Sequence, residues 1–138
     1  MVLTPFQKEA LTSIGNARQL RFIILHGSYA KGKERPWSDL DIAVLGRKRI
    51  SFDDWSKIYN DIADVFADYR DQELDVKSLH GVEHLFRYYV TRDGVLLYGD
   101  PTDYAEYKCY AFRDFVDSAD LRGLERALTR AKQEMLAR

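Results

Sequence analysis

The chain has 138 residues, enough to bury one core but not two. Lys and Arg number 21 against 22 Asp and Glu, a formal net charge of −1, which excludes the global basic field of a protein dedicated to nucleic acid. The single cysteine, Cys109, excludes an internal disulfide, and apolar runs such as Phe22 to Leu25 are far too short for a bilayer. With no signal-peptide pattern, the expectation is a cytoplasmic protein with no membrane contact and no direct nucleic-acid binding.

Thr4-Pro5, with Glu9 a turn later, predicts a helix start. Phe6, Ala10, Leu11 and Ile14 follow at helical spacing until Gly15-Asn16 stops it. Arg21 to His26 is short, branched, apolar and closed by Gly27, which predicts a buried strand. After Pro36 and Trp37 the pattern alternates, placing Asp39, Asp41 and Ala43 on one face of a second strand and Leu40, Ile42 and Val44 on the other. Ser51 with Asp54 starts a helix whose apolar stripe, from Phe52 through Ile58, Ile62 and Phe66, runs to about Arg70.

Glu73 to Leu79 alternates again, so Glu73, Asp75 and Lys77 share one face of a third strand. A helix from about Val82 to Thr91, the Asp93-Gly94 turn and a strand over Val95 to Tyr98 follow. Asp100 as N-cap and Pro101 at the first helical position open a helical section, about 100–138, with a break near Ser118 to Asp120. About four strands and a helical tail place the fold in the α/β or α+β class. The expectation is a small mixed sheet backed by helices, one domain over 1–138 with its strand-rich core at about 20–80.

His26 to Leu45, "HGSYAKGKERPWSDLDIAVL", stands apart from this background. If the first two strands pair antiparallel, Gly27 and Ser28 face Asp39 and Asp41. Two carboxylates that close resist ionising together unless a cation lies between them, and magnesium is the natural candidate because it binds oxygen and brings phosphate with it. Glycine lets a backbone approach a phosphate closely, the Ser28 hydroxyl adds a donor, and Lys31, Lys33 and Arg35 can offset the remaining phosphate charge. Taken singly, Ser38, Asp39 or Asp41 would read as a cap or a strand-end solubiliser. A buried-type strand that spends two same-face positions on carboxylates breaks local design rules in the way functional sites do.

Gly27-Ser28, ten intervening residues and Asp39-Leu40-Asp41 resemble the signature of the polymerase-beta-like nucleotidyltransferase superfamily. The resemblance implies that Asp39 and Asp41 hold catalytic metal, a pair of magnesium ions, with Asp75 of "ELDVKSL" as third carboxylate. Gly27, Ser28, Lys31 and Ser38 are then the residues for ATP. Glu73 shares a face with Asp75 and stays open as its rival.

The short length and the "GSYAKG" loop further resemble the minimal nucleotidyltransferases (MNT), antitoxins paired with a helical HEPN-domain toxin in a hetero-oligomeric complex. The function implied is transfer of AMP from ATP to a tyrosine of that toxin, a ribonuclease. A small-molecule, aminoglycoside-type nucleotidyltransferase and an antitoxin acting by sequestration are the alternatives. Where many relatives have Phe, this chain has His26, for which a packing or turn role is expected. His80, His84 and Cys109 lack zinc-ligand spacing. Tyr98, Tyr104, Tyr107 and Tyr110 read as half-buried rings at a helix surface, with a partner interface as the alternative. Arg122, Arg126, Arg130 and Lys132 read as a solvated face of the last helix, and Leu121, Leu124, Leu128, Ala131 and Met135 as an apolar face that covers the core or receives a helical partner.

Overall fold

The computed structural model describes residues 1–69 and 72–137. In chain order the elements are α1 (Pro5–Ala17), β1 (Leu20–His26), α2 (Gly27–Lys31), β2 (Leu40–Gly46), α3 (Phe52–Val65), a 3-10 turn (Ala67–Tyr69), β3 (Leu74–Ser78), α4 (His84–Asp93), β4 (Val95–Tyr98), α5 (Pro101–Asp117) and α6 (Ala119–Leu136). The four strands form one sheet in the order β3-β2-β1-β4. β1 is antiparallel to β2 and to β4, whereas β2 and β3 are parallel, so the sheet is mixed as expected. A parallel neighbour needs a crossover, and α3 supplies it.

Helices cover both faces of the sheet, which is why "FIIL" and "IAVL" are continuously apolar rather than alternating. On one face Leu11 of α1 and Ile58 and Ile62 of α3 pack on Ile23, Leu25, Ile42 and Val44. On the other, Val90 of α4 and Tyr104 and Tyr107 of α5 pack on Phe22, Ile24, Ala43 and Leu45. Ile23, Ile24, Ile42 and Val44 are fully buried, each contributing about 1.5–3 kcal/mol relative to exposure. Tyr104 sets its ring edge-on to Phe22 with centroids 5.4 Å apart, so two of the four expected surface tyrosines are core residues. Tyr98 also turns inward, and its hydroxyl donates to Asn16 Oδ1 at 2.9 Å.

Several boundaries differ from the sequence expectation for identifiable reasons. The capping partner of Thr4 is Gln7, not Glu9: Gln7 N–H donates to Thr4 Oγ1 at 3.1 Å, and Thr4 N–H to Gln7 Oε1 at 2.9 Å. α1 runs through Gly15 to Ala17, because that glycine admits the Tyr98 ring, which would overlap a Cβ there, rather than stopping the helix. α3 ends at Val65 and a 3-10 turn follows; the expected end near Arg70 lies outside the described residues. The Gly-Ser turn, expected as loop, closes into the one-turn helix α2.

α4 begins at His84, two residues later than expected, and β2 and β3 begin at Leu40 and Leu74, leaving Asp39 and Glu73 just ahead of their strands. The Asp100 cap and the break at Ser118 stand where expected, with Asp103 N–H donating to Asp100 Oδ2 at 3.0 Å. α6 buries no residue, so its apolar face does not cover the core. Arg122 is not part of a solvated face either, since its guanidinium lies 3.8 Å from the Phe115 ring centroid. Among the described residues, no helix is long and apolar enough to cross a membrane.

Candidate active site

β1 ends where β2 and β3 begin, and the register aligns three side chains across that edge. His26 pairs with Asp41, and Asp41 pairs with Asp75. Leu25, Leu40, Ile42 and Val76 all point into the α1–α3 core, so alternation sends His26, Asp41 and Asp75 to the opposite, α4-covered face. Adjacent strands lie about 4.8 Å apart, so this row spans about 10 Å.

Asp39 is exposed just ahead of β2, close enough for its charge to be felt at Asp41. The Asp41 carboxyl is held above the ordinary carboxylate range, first by burial, then by the Asp75 and Asp39 charges, with Lys77 opposing. Lys77 Nζ lies 3.4 Å from Asp75 Oδ2. Burial pushes the His26 imidazole down to about 4 against the pull of the Asp75 carboxylate, with Lys77 adding to the depression. Its Nε2 is buried without a hydrogen-bond partner, and the ring stands edge-on to Phe86 at 5.8 Å. That Phe86 ring also carries the Lys77 ammonium, 5.2 Å from its centroid. Packing against Phe86 therefore accounts for one side of His26, while its place in the register opposite Asp41 puts the residue in the carboxylate row.

The Gly-Ser turn closes against this row. Gly27 has φ +72, and a Cβ built on it would overlap Asp41 Oδ2. Both facts demand glycine, one for the left-handed backbone and one for the close approach. Ser28 is half-buried in the first turn of α2, and the helix ends at Gly32 in the left-handed region. Lys31 reaches the end of α4, where its Nζ lies 3.6 Å from Asp93 Oδ2, rather than the carboxylate row. Ser38 shapes the loop before β2: its Oγ accepts from Arg35 N–H at 2.8 Å and its own N–H donates to Arg35 O at 2.9 Å. Glu73 is exposed, while Asp75 holds the register position opposite Asp41.

Sequence reasoning assigned no role to Lys77 or Phe86. Lys77 was visible as a same-face neighbour of Asp75, whereas nothing in the sequence marks Phe86, which reaches the row only because α4 folds over it.

Among the described residues, no three His, Cys, Asp or Glu side chains gather as a preformed metal site. Magnesium asks for less, since one or two carboxylates suffice when substrate phosphates and water complete its shell. Asp41 and Asp75, neighbours in register and mutually unfavourable as a charged pair, fit a divalent cation that arrives with a nucleotide.

A mixed sheet that sets paired carboxylates in register beside a Gly-Ser turn defines the nucleotidyltransferase class. Residues 9–103 match the family described as Polymerase beta, Nucleotidyltransferase, and the chain belongs to that family. No curated protein matches the chain in sequence.

Among solved structures, the fold is similar to that of a chain in a toxin-antitoxin crystal structure with AMP-PNP, at 18% identity and TM-score 0.69 over 88% of this chain and 98% of that one. A complex of tri-AMPylated Shewanella oneidensis HEPN toxin with MNT antitoxin contains a similar chain, at 17% identity and TM-score 0.66 over 90% and 97%. The toxin-antitoxin structure MntA-HepT contains another, at 16% identity and TM-score 0.66 over 91% and 99%. At these identities the likeness is one of fold.

Proposed function

We propose that this chain is an antitoxin nucleotidyltransferase that transfers AMP from ATP to a tyrosine of a cognate HEPN-domain ribonuclease and so silences it. One observation carries the chemistry: Asp41 and Asp75 stand in register across β2 and β3 with the Gly27 backbone closed against Asp41. The likeness of fold to chains crystallised with AMP-PNP and with an AMPylated HEPN toxin supports the choice of nucleotide and acceptor.

In this reading Asp39, Asp41 and Asp75 hold divalent metal. When bound, magnesium offsets the charge on the α-phosphate and on the departing pyrophosphate. Gly27 and Ser28 receive the triphosphate where the backbone can approach it, and Lys31 exchanges Asp93 for a phosphate oxygen. Ser38 holds the loop that delivers Asp39. The tyrosine oxygen forms a bond to the α-phosphorus as the bond to the bridging oxygen breaks. Pyrophosphate leaves with that electron pair, and the hydroxyl proton passes to Asp75.

The partner meets the outer side of the helical tail. Leu121, Leu124, Leu128 and Met135 of α6 are 50%, 55%, 62% and 66% exposed, at the three- and four-residue spacing that suits a helical partner.

The test is incubation with ATP, magnesium and the HEPN partner, followed by intact mass of both chains. AMP mass on the partner, lost on its tyrosine-to-phenylalanine variants, is the expected result. Neutralisation with no added mass would replace transfer by sequestration.

A further inference from the structure

We infer that Lys77 is the resident counter-cation of the carboxylate row, and that a divalent metal has to displace its ammonium from Asp75 in order to bind. This rests on the nucleotidyltransferase reading of the row. Lys77 follows Asp75 by two residues on β3, so both project from the same face, and its Nζ lies 3.4 Å from Asp75 Oδ2. The charge of Lys77 also opposes, at Asp41, the charges of Asp75 and Asp39.

Two features suit this ammonium to leave as well as to stay. β3 is an edge strand, and the Lys77 side chain is half exposed, so no neighbouring strand traps it. The Phe86 ring lies beneath the ammonium at 5.2 Å and is itself fixed edge-on against His26, giving the cation a second favourable contact once Asp75 is taken.

The consequence is a site that favours metal and nucleotide together. With Lys77 in place the carboxylates are partly balanced, and metal alone gains Asp75 only by breaking an ion pair. A triphosphate arriving with the metal brings negative charge that accepts the released ammonium. Lys77 is thus a positioning residue, holding Asp75 before the metal arrives and coupling the two ligands when it does.

The experiment titrates Mn²⁺ into the nucleotide-free full chain and reads free Mn²⁺ by electron paramagnetic resonance, then repeats the titration with AMP-PNP. Lys77→Met keeps an unbranched apolar stem over Phe86 and removes the charge. It is expected to bind Mn²⁺ alone about fivefold more tightly than wild type, the upper range for losing an exposed ion pair, and to show a smaller gain on adding AMP-PNP. Lys77→Arg stays within about twofold of wild type. In an Asp75→Asn background, Lys77→Met changes Mn²⁺ affinity by less than about twofold, because the pair is already broken.

Unchanged or weaker Mn²⁺ binding by Lys77→Met, with wild type binding normally, overturns the counter-cation role and leaves the nucleotidyltransferase reading standing. A fivefold gain that persists without Asp75 overturns displacement from that residue. Absence of Mn²⁺ binding by wild type and Lys77→Met alike, with and without AMP-PNP, overturns the reading of the row and the inference with it.

Discussion

The Gly27 backbone lies so close to Asp41 that any Cβ on the glycine would overlap the carboxylate Oδ2. Strand and turn are therefore built to one tolerance: the end of β1 delivers Gly27, the start of β2 delivers Asp41, and the antiparallel register sets His26 opposite Asp41. Gly27→Ala should disturb both backbone and carboxylate. At φ +72 an alanine is strained, costing about 1–2 kcal/mol, and its Cβ displaces Asp41 from the row. Gly32→Ala is the matched control, because Gly32 has φ +67 but open space around its Cβ position. Urea unfolding should show a loss of stability in both variants, the larger in Gly27→Ala, while AMP transfer falls steeply only for Gly27→Ala. Equal activity in the two variants would mean that Gly27 serves the turn and not the site.

His26 makes stability depend on acid. Its folded pKa of about 4 lies below the ordinary 6.5, chiefly because the ring is buried. As pH falls below 6.5 the unfolded chain takes up this proton before the folded protein does. His26 therefore carries no ionisation penalty above 6.5, and below it the fold loses stability progressively down to about 4, roughly 3 kcal/mol over that window. His26→Phe should flatten the profile between those limits and stabilise the neutral fold, since a ring against Phe86 remains and an unpaired buried nitrogen goes. The check is a series of urea midpoints across the range. A variant as acid-sensitive as wild type would place the titrating group elsewhere.

The legible parts of the site were those fixed by near neighbours in sequence. The apolar strand closed by Gly27 and the position of Asp41 at the start of β2 are local patterns, and the facing of His26 and Asp41 follows from one antiparallel pairing, whereas Asp39 stays ahead of the strand. Asp75 joins Asp41 through the α3 crossover, a parallel pairing with no local signal, so its place came from a resemblance rather than from periodicity. Phe86 was invisible because its role depends on how α4 lies over the sheet. Gly15 was misread for the same reason. A glycine that ends a helix and one that admits a distant ring such as Tyr98 look alike until the chain is folded.

The tail separates folding from binding. Because α6 has no buried residue, ending the chain at Ser118 should leave the sheet and both of its cores intact. Circular dichroism should show loss of helix with a thermal transition that stays cooperative. Co-purification with the HEPN partner should disappear. A folded truncation that still retains the partner would move the interface off α6.

Asp39→Asn with Asp41→Asn separates catalysis from sequestration. Asparagine keeps the size of each side chain and removes the charges proposed to hold metal, so on that reading transfer should fall by orders of magnitude. The fold should gain rather than suffer. The Asp41 pKa is raised in the folded state by burial and by the Asp75 and Asp39 charges, so an ionised Asp41 costs stability as pH climbs from the ordinary 3.8 through that raised value, and the cost persists at neutral pH. Without metal, the double variant should therefore melt slightly above wild type at pH 7 and alike at low pH. With magnesium and ATP the order should reverse, because only wild type gains ligand binding. The variant should still bind its partner, add no AMP to it, and protect cells poorly. If it neutralises the toxin as well as wild type while no tyrosine is modified, the carboxylates are not what silences the toxin, and tight binding alone takes that role.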